Sequence, residues 1–326
     1  MSKEVVHSTN LDANESAFFA RELEFVKART YDKRYPEYKA TQLIPVSTEA
    51  GAGAESITYR QFDSVGLMKL IANYADDLPR ADVYGLEFTS PVRSLGGSYG
   101  WNLQEIRNAQ MAGRPLATRK AEAARLAYEQ TVNRLAWFAC AADTSSAGLN
   151  GLLYNPNVTK KTAATGAGGG GTVTKWEDKT VDEILKDLND AVNDIIALTK
   201  GVEVPDTLLL PIKQYTQIAT TPRSSTSDTT VLEFFKRNNP NISLVEWVSE
   251  LKDVQPLPST PSVADSKGDV MIAYRRDPMK LTLELPQMFE QLPVQECKLE
   301  FIVPTHARIG GVIVYYPLSI AIIEGI

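Results

Sequence analysis

The chain has 326 residues, of which 43% are hydrophobic and 23% are charged, and this composition is typical of a folded protein rather than a disordered one. Its net charge of −6 excludes an electrostatic nucleic-acid binder, so any contact with nucleic acid must come from a local basic surface. The first residues are polar, and no apolar run approaches the roughly 18 residues that span a bilayer, so we expect a soluble chain made in the cytoplasm.

Residues 1–39 are predicted to form a polar N-terminal arm, with a short helix at 15–27. Basic side chains outnumber acidic ones near its end, and Arg29 and Arg34 are the candidates for a contact with a partner. Such an arm can grip a neighbouring subunit or a phosphate backbone. The alternative interpretation is a solvated terminus whose charges only keep it soluble.

Residues 40–88 are predicted to form a long two-stranded loop. Segments 41–46 and 56–62 both favour extended chain, and the Gly/Ala-rich stretch STEAGAGAE between them is the predicted tip. In the second segment Ile57 and Tyr59 alternate with polar side chains. Two apolar side chains are too few to stabilise an isolated hairpin in water, so we expect this loop to lie against something else.

A long helix is predicted at residues 116–142. Its apolar stripe recurs at steps of three and four, through Ala121, Ala124, Tyr128, Val132, Leu135 and Ala139. A helix of this length extends about 40 Å, and alanines in the stripe favour a closely packed neighbour. A shorter helix before it is predicted to begin at Asn102, with Glu105 placed to complete the cap.

A second amphipathic helix is predicted at residues 181–200. Thr180 and Glu183 have the spacing of a capping box, and Gly201 is a suitable terminator. The segments that follow alternate between strand and helix patterns, namely DTLLLP, IKQYTQIA, TTVLEFFKRN and ISLVEWVSEL. The last fifty residues are rich in β-branched and aromatic residues bounded by Pro and Gly, which indicates strands.

The run ATGAGGGGTVTKW contains Gly166, Gly168 and Gly171 at the G-x-G-x-x-G spacing of a nucleotide-binding loop. Such a loop needs a buried strand before it and a helix that begins at its end. Here a polar, Pro-broken segment precedes the glycines, and the helix begins only near Val181. We therefore interpret the run as a surface loop at a domain boundary.

Other chemistry is sparse in this sequence. The histidines are His7 and His306, and a nucleophile pair of Cys297 with His306 lacks an orienting partner, so a structural Cys and a surface His are the simpler interpretation. The two cysteines, Cys140 and Cys297, do not form a C-x-x-C motif, which favours a reduced setting. We expect no catalytic residues, no cofactor and no metal site.

Three carboxylates of the second helix also require an interpretation. Asp187, Asp190 and Asp194 recur at steps of three and four, which is typical of a solvated helix face.

Four segments, in this order, resemble a tailed-phage major capsid protein of the Hong Kong 97-type fold. They are IPVSTEAGAGAESITYRQFDSVG, YGWNLQEIRNAQMAGRPLATRKAEAARLAYEQTVNRLAW, GLNGLLYNPNV and HARIGGVIVYYPLSIAIIEGI. The resemblance covers nearly the whole chain and implies an α+β fold. Its implied parts are an N-terminal arm (1–39), an extended loop (40–88), a peripheral domain (89–160 and 279–309) with a spine helix (116–142), and an α/β axial domain (161–278 and 310–326).

The resemblance further implies a shell protein that self-assembles, through hexamers and pentamers, into an icosahedral head enclosing double-stranded DNA held by loose contact. It implies a structural role without enzymatic activity or a membrane. Scaffold, cement and portal proteins are candidate partners, and the location is the virion, assembled in the cytoplasm of a bacterial host. The extended loop would reach over a neighbouring subunit. The candidate assembly residues are Ile57, Tyr59, Arg60, Phe62, Arg29 and Arg34.

Two alternatives remain open from the sequence. An encapsulin-like compartment shell shares the fold but packages a cargo enzyme instead of DNA, and gene neighbours would separate the two. The other alternative is a soluble enzyme whose glycine run binds a nucleotide, which titration with dinucleotides would detect.

Overall fold

The structure is a computed structural model that describes residues 35–68, 80–112, 116–167, 173–224, 226, 228–255 and 268–326. The predicted helix at 15–27, Arg29 and Arg34 lie outside the described residues. The account below concerns the compact unit Tyr38–Ile326. Within its described residues, no helix has the length and apolar content needed to cross a membrane.

The secondary structure mixes helices and strands along the chain. The helices are α1 (Ala40–Leu43), α2 (Leu103–Ala112), α3 (Leu116–Phe138), α4 (Val181–Leu198), α5 (Ile212–Thr220) and α6 (Val231–Asn238). The strands are β1 (Val46–Ser47), β2 (Ser56–Val65), β3 (Asp82–Pro91), β4 (Arg93–Asn102), β5 (Thr159–Thr162), β6 (Thr207–Leu210), β7 (Leu244–Trp247), β8 (Val270–Tyr274), β9 (Leu281–Glu284), β10 (Gln287–Gln291), β11 (Gln295–Cys297), β12 (Glu300–Ile309), β13 (Gly311–Val314) and β14 (Ile320–Glu324).

The long hairpin exists, but its second strand is not the predicted one. Strand β2 pairs with β3 in an antiparallel ladder of ten residue pairs, from Ser56↔Pro91 to Val65↔Asp82. The segment predicted as its partner, residues 41–46, instead begins as helix α1, and β1 pairs with β9. Tertiary contacts override the extended preference of this segment. In a helical turn, Ala40 and Leu43, which are three residues apart, lie on the same side, and both are buried there.

A four-stranded antiparallel sheet is centred on β12. Strand β4 pairs with one edge of β12, and β10 and β11 pair with the other. Helix α2 follows β4 directly, and the predicted cap is confirmed: Glu105 N donates to Asn102 Oδ1 (2.7 Å), and Asn102 N donates to Glu105 Oε2 (3.3 Å). Helix α3 packs on β4, although Ala124 and Tyr128 of its stripe line a cavity of about 190 Å³.

Helix α3 ends at Phe138, four residues before the predicted end at residue 142. The backbone N–H groups of Gly151, Leu152 and Leu153 donate to carbonyls at the end of this helix and just beyond it. The carbonyls left free at a helix terminus are thus satisfied by a returning chain. Gly151 is required there, because a Cβ at this position would lie 2.7 Å from Ala139 N.

The second lobe is a five-stranded sheet of order β5-β14-β8-β6-β7. Alternate residues of its central strands belong to different hydrophobic clusters: Leu209 and Ile272 face one, and Leu208 and Met271 face the other. The first cluster is shared with α3, β9 and β13, and the second with α4, α5 and α6. Burial on both faces explains why DTLLLP is a continuous apolar run.

Helix α4 forms as the sequence predicts. Thr180 and Glu183 make both bonds of the capping box, and Gly201 follows the last turn with φ of +83°. Ile184, Leu188 and Ile195 are buried against the sheet, as the stripe requires.

Asn133 of α3 joins three parts of the fold. Its Oδ1 accepts hydrogen bonds from Ala40 N (3.1 Å) and Trp137 Nε1 (3.2 Å), and its Nδ2 donates to Glu250 Oε1 (2.5 Å). Next to it, Lys39 Nζ donates to Glu246 Oε1 (2.7 Å) and lies 3.6 Å from the centre of the Trp247 ring. The start of the described unit is therefore fixed both to α3 and to the edge of the five-stranded sheet.

Replacing this amide tests its structural importance. Asn133→Ala leaves two buried N–H donors, of Ala40 and Trp137, without their acceptor, so we expect the free energy of unfolding to fall by about 2–4 kcal/mol. Urea unfolding of the unassembled subunit measures the change. Glu122→Ala, on an exposed position of the same helix, is the control and should change stability by less than about 0.5 kcal/mol. Equal stability of both variants would contradict the assignment.

Candidate assembly surface

The β2–β3 hairpin presents two different faces. Side chains directly opposite each other in an antiparallel ladder point to the same side, so the register sorts them. One face carries the apolar Ile57, Tyr59, Phe88, Leu86, Tyr84 and Val65, with the polar Gln61 opposite Leu86 and Asp63 opposite Tyr84. The other carries Thr58, Thr89, Arg60, Glu87, Phe62 and Val83.

The base of the first face is fixed to the body of the subunit. Tyr59 stacks on Phe88 (centroids 5.2 Å apart) and meets Tyr315 edge-on (4.9 Å). Partial burial raises the pKa of the Tyr59 hydroxyl. Ile57 lies against Gly310, where a Cβ would be 3.1 Å from Ile57 Cδ1. The half-buried residues at the hairpin base therefore act as an anchor.

The distal half of the same hairpin exposes apolar side chains on both of its faces, Tyr84 and Leu86 on the first and Phe62 on the second. Tyr84 is 60% exposed, Leu86 64% and Phe62 68%. Beyond the ladder, Leu67 and Met68 are almost fully exposed. Several large apolar side chains exposed on one hairpin exceed the isolated ones that are common at protein surfaces, and such groups usually mark an interaction site.

The second face is polar near its base. Arg60 Nε donates to Glu87 Oε1 (2.7 Å), and the hydroxyls of Thr58 and Thr89 are 3.0 Å apart. Both charges of the ion pair are largely exposed, so the pair contributes about 0–1 kcal/mol to stability. The ladder leaves these polar groups mutually satisfied.

The structure thus separates the predicted assembly residues. Ile57 and Tyr59 contact their own subunit, Arg60 is paired across the ladder, and Phe62 is exposed. The sequence reading missed Tyr84 and the other apolar residues of β3. The period-two alternation in VYGLEF, which places Tyr84, Leu86 and Phe88 on one face, was the available signal.

The candidate catalytic pair is not assembled. Cys297 lies opposite Glu300 in the sheet, whereas His306 lies six positions further along β12, which is roughly 20 Å at the rise of a strand. Cys297 is exposed and Cys140 is buried. No cluster of three or more His, Cys, Asp or Glu able to hold a metal occurs among the described residues.

The N-terminus of α4, which follows the glycine run, is already capped by the carboxylate of Glu183. Residues 168–172 lie outside the described residues, but their flanks are described: Gly166 N donates to Val173 O (2.8 Å), and Ala167 N donates to Glu183 Oε1 (2.7 Å). Hydrogen bonds from the backbone of Thr180 and then of Ala167 lower the pKa of Glu183. A phosphate at this helix N-terminus would face a carboxylate, which opposes nucleotide binding.

One interpretation of the carboxylates on α4 is wrong. Asp187 was expected on a solvated face, but its side chain is only 4% exposed and forms an ion pair with Lys179. Asp194 does pair with Lys161 at the partly exposed surface (2.7 Å). Helical spacing alone cannot show that Asp187 points inward, because its buried partner, Lys179, lies before the helix begins.

The structure is thus a folded body that carries a hairpin fixed at its base and exposing apolar side chains in its distal half. Residues 66–326 match the family described as major capsid protein. Because the match covers well over half of the chain, the chain belongs to the major capsid protein family. This family consists of structural proteins.

Solved structures show the same fold. The capsid of the Myoviridae phage XM1 has a TM-score of 0.79 at 19% identity, covering 95% of this chain and 99% of that chain. Mycobacterium phage Bobi gives a TM-score of 0.59 at 11% identity, covering 94% and 96%. The capsid of a native GTA particle gives 0.58 at 10% identity, with the same two coverages. A search of curated protein sequences gave no match. The predicted α+β fold of the Hong Kong 97 type is confirmed.

The hydrogen bond from Gly166 N to Val173 O joins the two flanks of the glycine run, and this contact leads to a prediction. Deleting Gly169 and Gly170 should change the free energy of unfolding by less than about 0.6 kcal/mol, the entropic effect of halving a flexible loop. Gly166→Ala should instead lower it by about 1–3 kcal/mol, because the new Cβ would lie 2.8 Å from Cγ of the buried Lys179. Urea unfolding compares the two variants. Loss of folding on the deletion alone would show that the run is structural.

Proposed function

We propose that the protein is the shell subunit of a tailed-phage head that encloses double-stranded DNA. The observation that carries the proposal is the apolar distal half of the hairpin, including Tyr84 and Leu86, which a single subunit leaves in water. Burying such surface against another copy is favourable at about 25 cal/mol per Å². In a closed shell, the distal half of every hairpin would be covered by a neighbouring copy of the subunit.

The proposed assembly uses the parts of the fold in different ways. The extended loop (40–88) reaches over a neighbouring subunit. The lobe around α3 and β12 serves as the peripheral domain (89–160 and 279–309). The lobe around α4 serves as the axial domain (161–278 and 310–326), which clusters in hexamers and pentamers. The contact of Tyr59 with Tyr315 supports this arrangement, because it fixes the base of the hairpin while the distal half stays exposed.

The proposed contact with DNA is loose. The chain has a net charge of −6, so electrostatics do not favour a tight, sequence-independent grip on the genome. Within the arm, Arg29 and Arg34 are proposed to contact a neighbouring subunit or the nucleic acid. Scaffold, cement and portal proteins are proposed partners, and the protein is proposed to be made in the host cytoplasm and to end in the virion.

The two rival functions have less support. The family match is to major capsid proteins rather than to a cargo-packaging compartment. The nucleotide-binding enzyme is opposed by Glu183, whose carboxylate occupies the helix terminus beside the glycine run.

Polar substitution of the distal hairpin tests the proposal. Tyr84→Ser with Leu86→Ser removes apolar surface that is exposed in the subunit, so folding should be retained, by far-ultraviolet circular dichroism, while shell formation falls at least tenfold. The matched control is Thr58→Ser with Thr89→Ser, which keeps the polar face of the same ladder and should assemble normally. Electron microscopy and gel filtration measure the yield of shells. Normal assembly of the Tyr84/Leu86 variant would refute the role of this surface.

A further inference from the structure

A lysine and an aspartate are buried together in the axial lobe. The side chains of Lys179 and Asp187 are 1% and 4% exposed, and Nζ of the lysine donates to Oδ2 of the aspartate. The indole Nε1 of Trp176, itself 1% exposed, donates to the same oxygen at 2.9 Å. Ile184 and Leu188 of α4 belong to the same apolar cluster as Trp176. The pair is therefore largely removed from bulk water.

The two charges are poorly compensated for groups so deeply buried. The ammonium can donate three hydrogen bonds, yet among the described residues Asp187 is its single acceptor. Both hydrogen bonds to the carboxylate converge on Oδ2, and no described residue donates to Oδ1. A buried ion pair repays its desolvation only when the remaining donors and acceptors are satisfied. A reaction that removes both charges is thus favoured here.

We propose that Lys179 and Asp187 condense to an intramolecular isopeptide bond. The lysine Nζ attacks Cγ of the carboxyl group, the N–C bond forms, and the Cγ–Oδ1 bond breaks. Two protons from the ammonium join the departing oxygen, so that an ammonium and a carboxylate become a neutral amide and one water molecule. The step needs no oxidant, reductant or cofactor.

Neighbouring groups supply the acid–base chemistry. Burial raises the pKa of Asp187, with a smaller contribution from the nearby Asp190, and this favours the neutral carboxyl that an amine can attack. The Trp176 N–H polarises the C–Oδ2 bond and stabilises charge that develops on this oxygen during attack. Asp190 lies one helical turn beyond Asp187, near enough to act on the pKa of its carboxyl, and its carboxylate would carry the proton from the amine to the leaving oxygen.

The bond would lock the connection between the glycine run and α4. The Gly166 Cα faces Lys179 so closely that an added Cβ would contact Lys179 Cγ at 2.8 Å. A covalent link here would hold the chain against the helix even when the shell is unfolded. The inference does not depend on the assembly function, because it concerns one chain.

Intact mass measurement tests the inference directly. The full-length chain, denatured and reduced, should be lighter than its sequence mass by one water molecule. Trypsin should fail to cleave after Lys179 and should release residues 176–186 joined to residues 187–200, with the same mass deficit. A chain of full sequence mass would overturn the proposal.

Variants separate this bond from other dehydrations. Lys179→Arg and Asp187→Ala should each restore the full mass for their sequence, even if either variant is less stable, because the mass is read on denatured protein. Asp194 lies on the same helix as Asp187 and forms a more exposed ion pair with Lys161 of β5. Asp194→Ala breaks that pair and should keep the mass deficit of one water molecule. A deficit that persists in Lys179→Arg would indicate a cyclised aspartate instead and would also overturn the proposal.

Discussion

A two-stranded ladder cannot by itself keep an apolar face out of water. The β2–β3 hairpin extends through ten residue pairs, and such isolated hairpins are marginally stable. Here the base is fixed by Tyr59 against Tyr315, and the distal half keeps its apolar side chains in solvent. We propose that a neighbouring copy in the shell resolves this division between an anchored and an uncovered half by covering the exposed side chains.

The rest of the subunit provides a rigid support for this hairpin. The five-stranded sheet is buried on both faces and joins two hydrophobic clusters in one unit. Asn133 and Lys39 tie the start of that unit to α3 and to the sheet edge. Gly310, next to β13, accepts the close approach of Ile57 at the hairpin base. The side chains that hold the hairpin are therefore continuous with the buried core.

Much of the fold could be predicted because local signals were strong. Capping residues and apolar period located α4, and the order of segments indicated the family. The partner of β2 could not be predicted, since residues 41–46 favour extended chain locally, whereas residues 41–43 are helical in a segment that contacts α3. At the candidate surface, the sequence indicated Phe62, but which face is anchored depends on the contact with Tyr315, a residue more than two hundred positions away. The burial of Asp187 was likewise a tertiary effect.

The central claim is that the exposed hairpin surface is covered by other copies in a closed shell. Negative-stain electron microscopy of the purified wild-type protein, with gel filtration of the same sample, measures this most directly. The account predicts uniform closed particles hundreds of ångströms across, eluting far ahead of a single chain. A stable monomer or small oligomer under every assembly condition would contradict it.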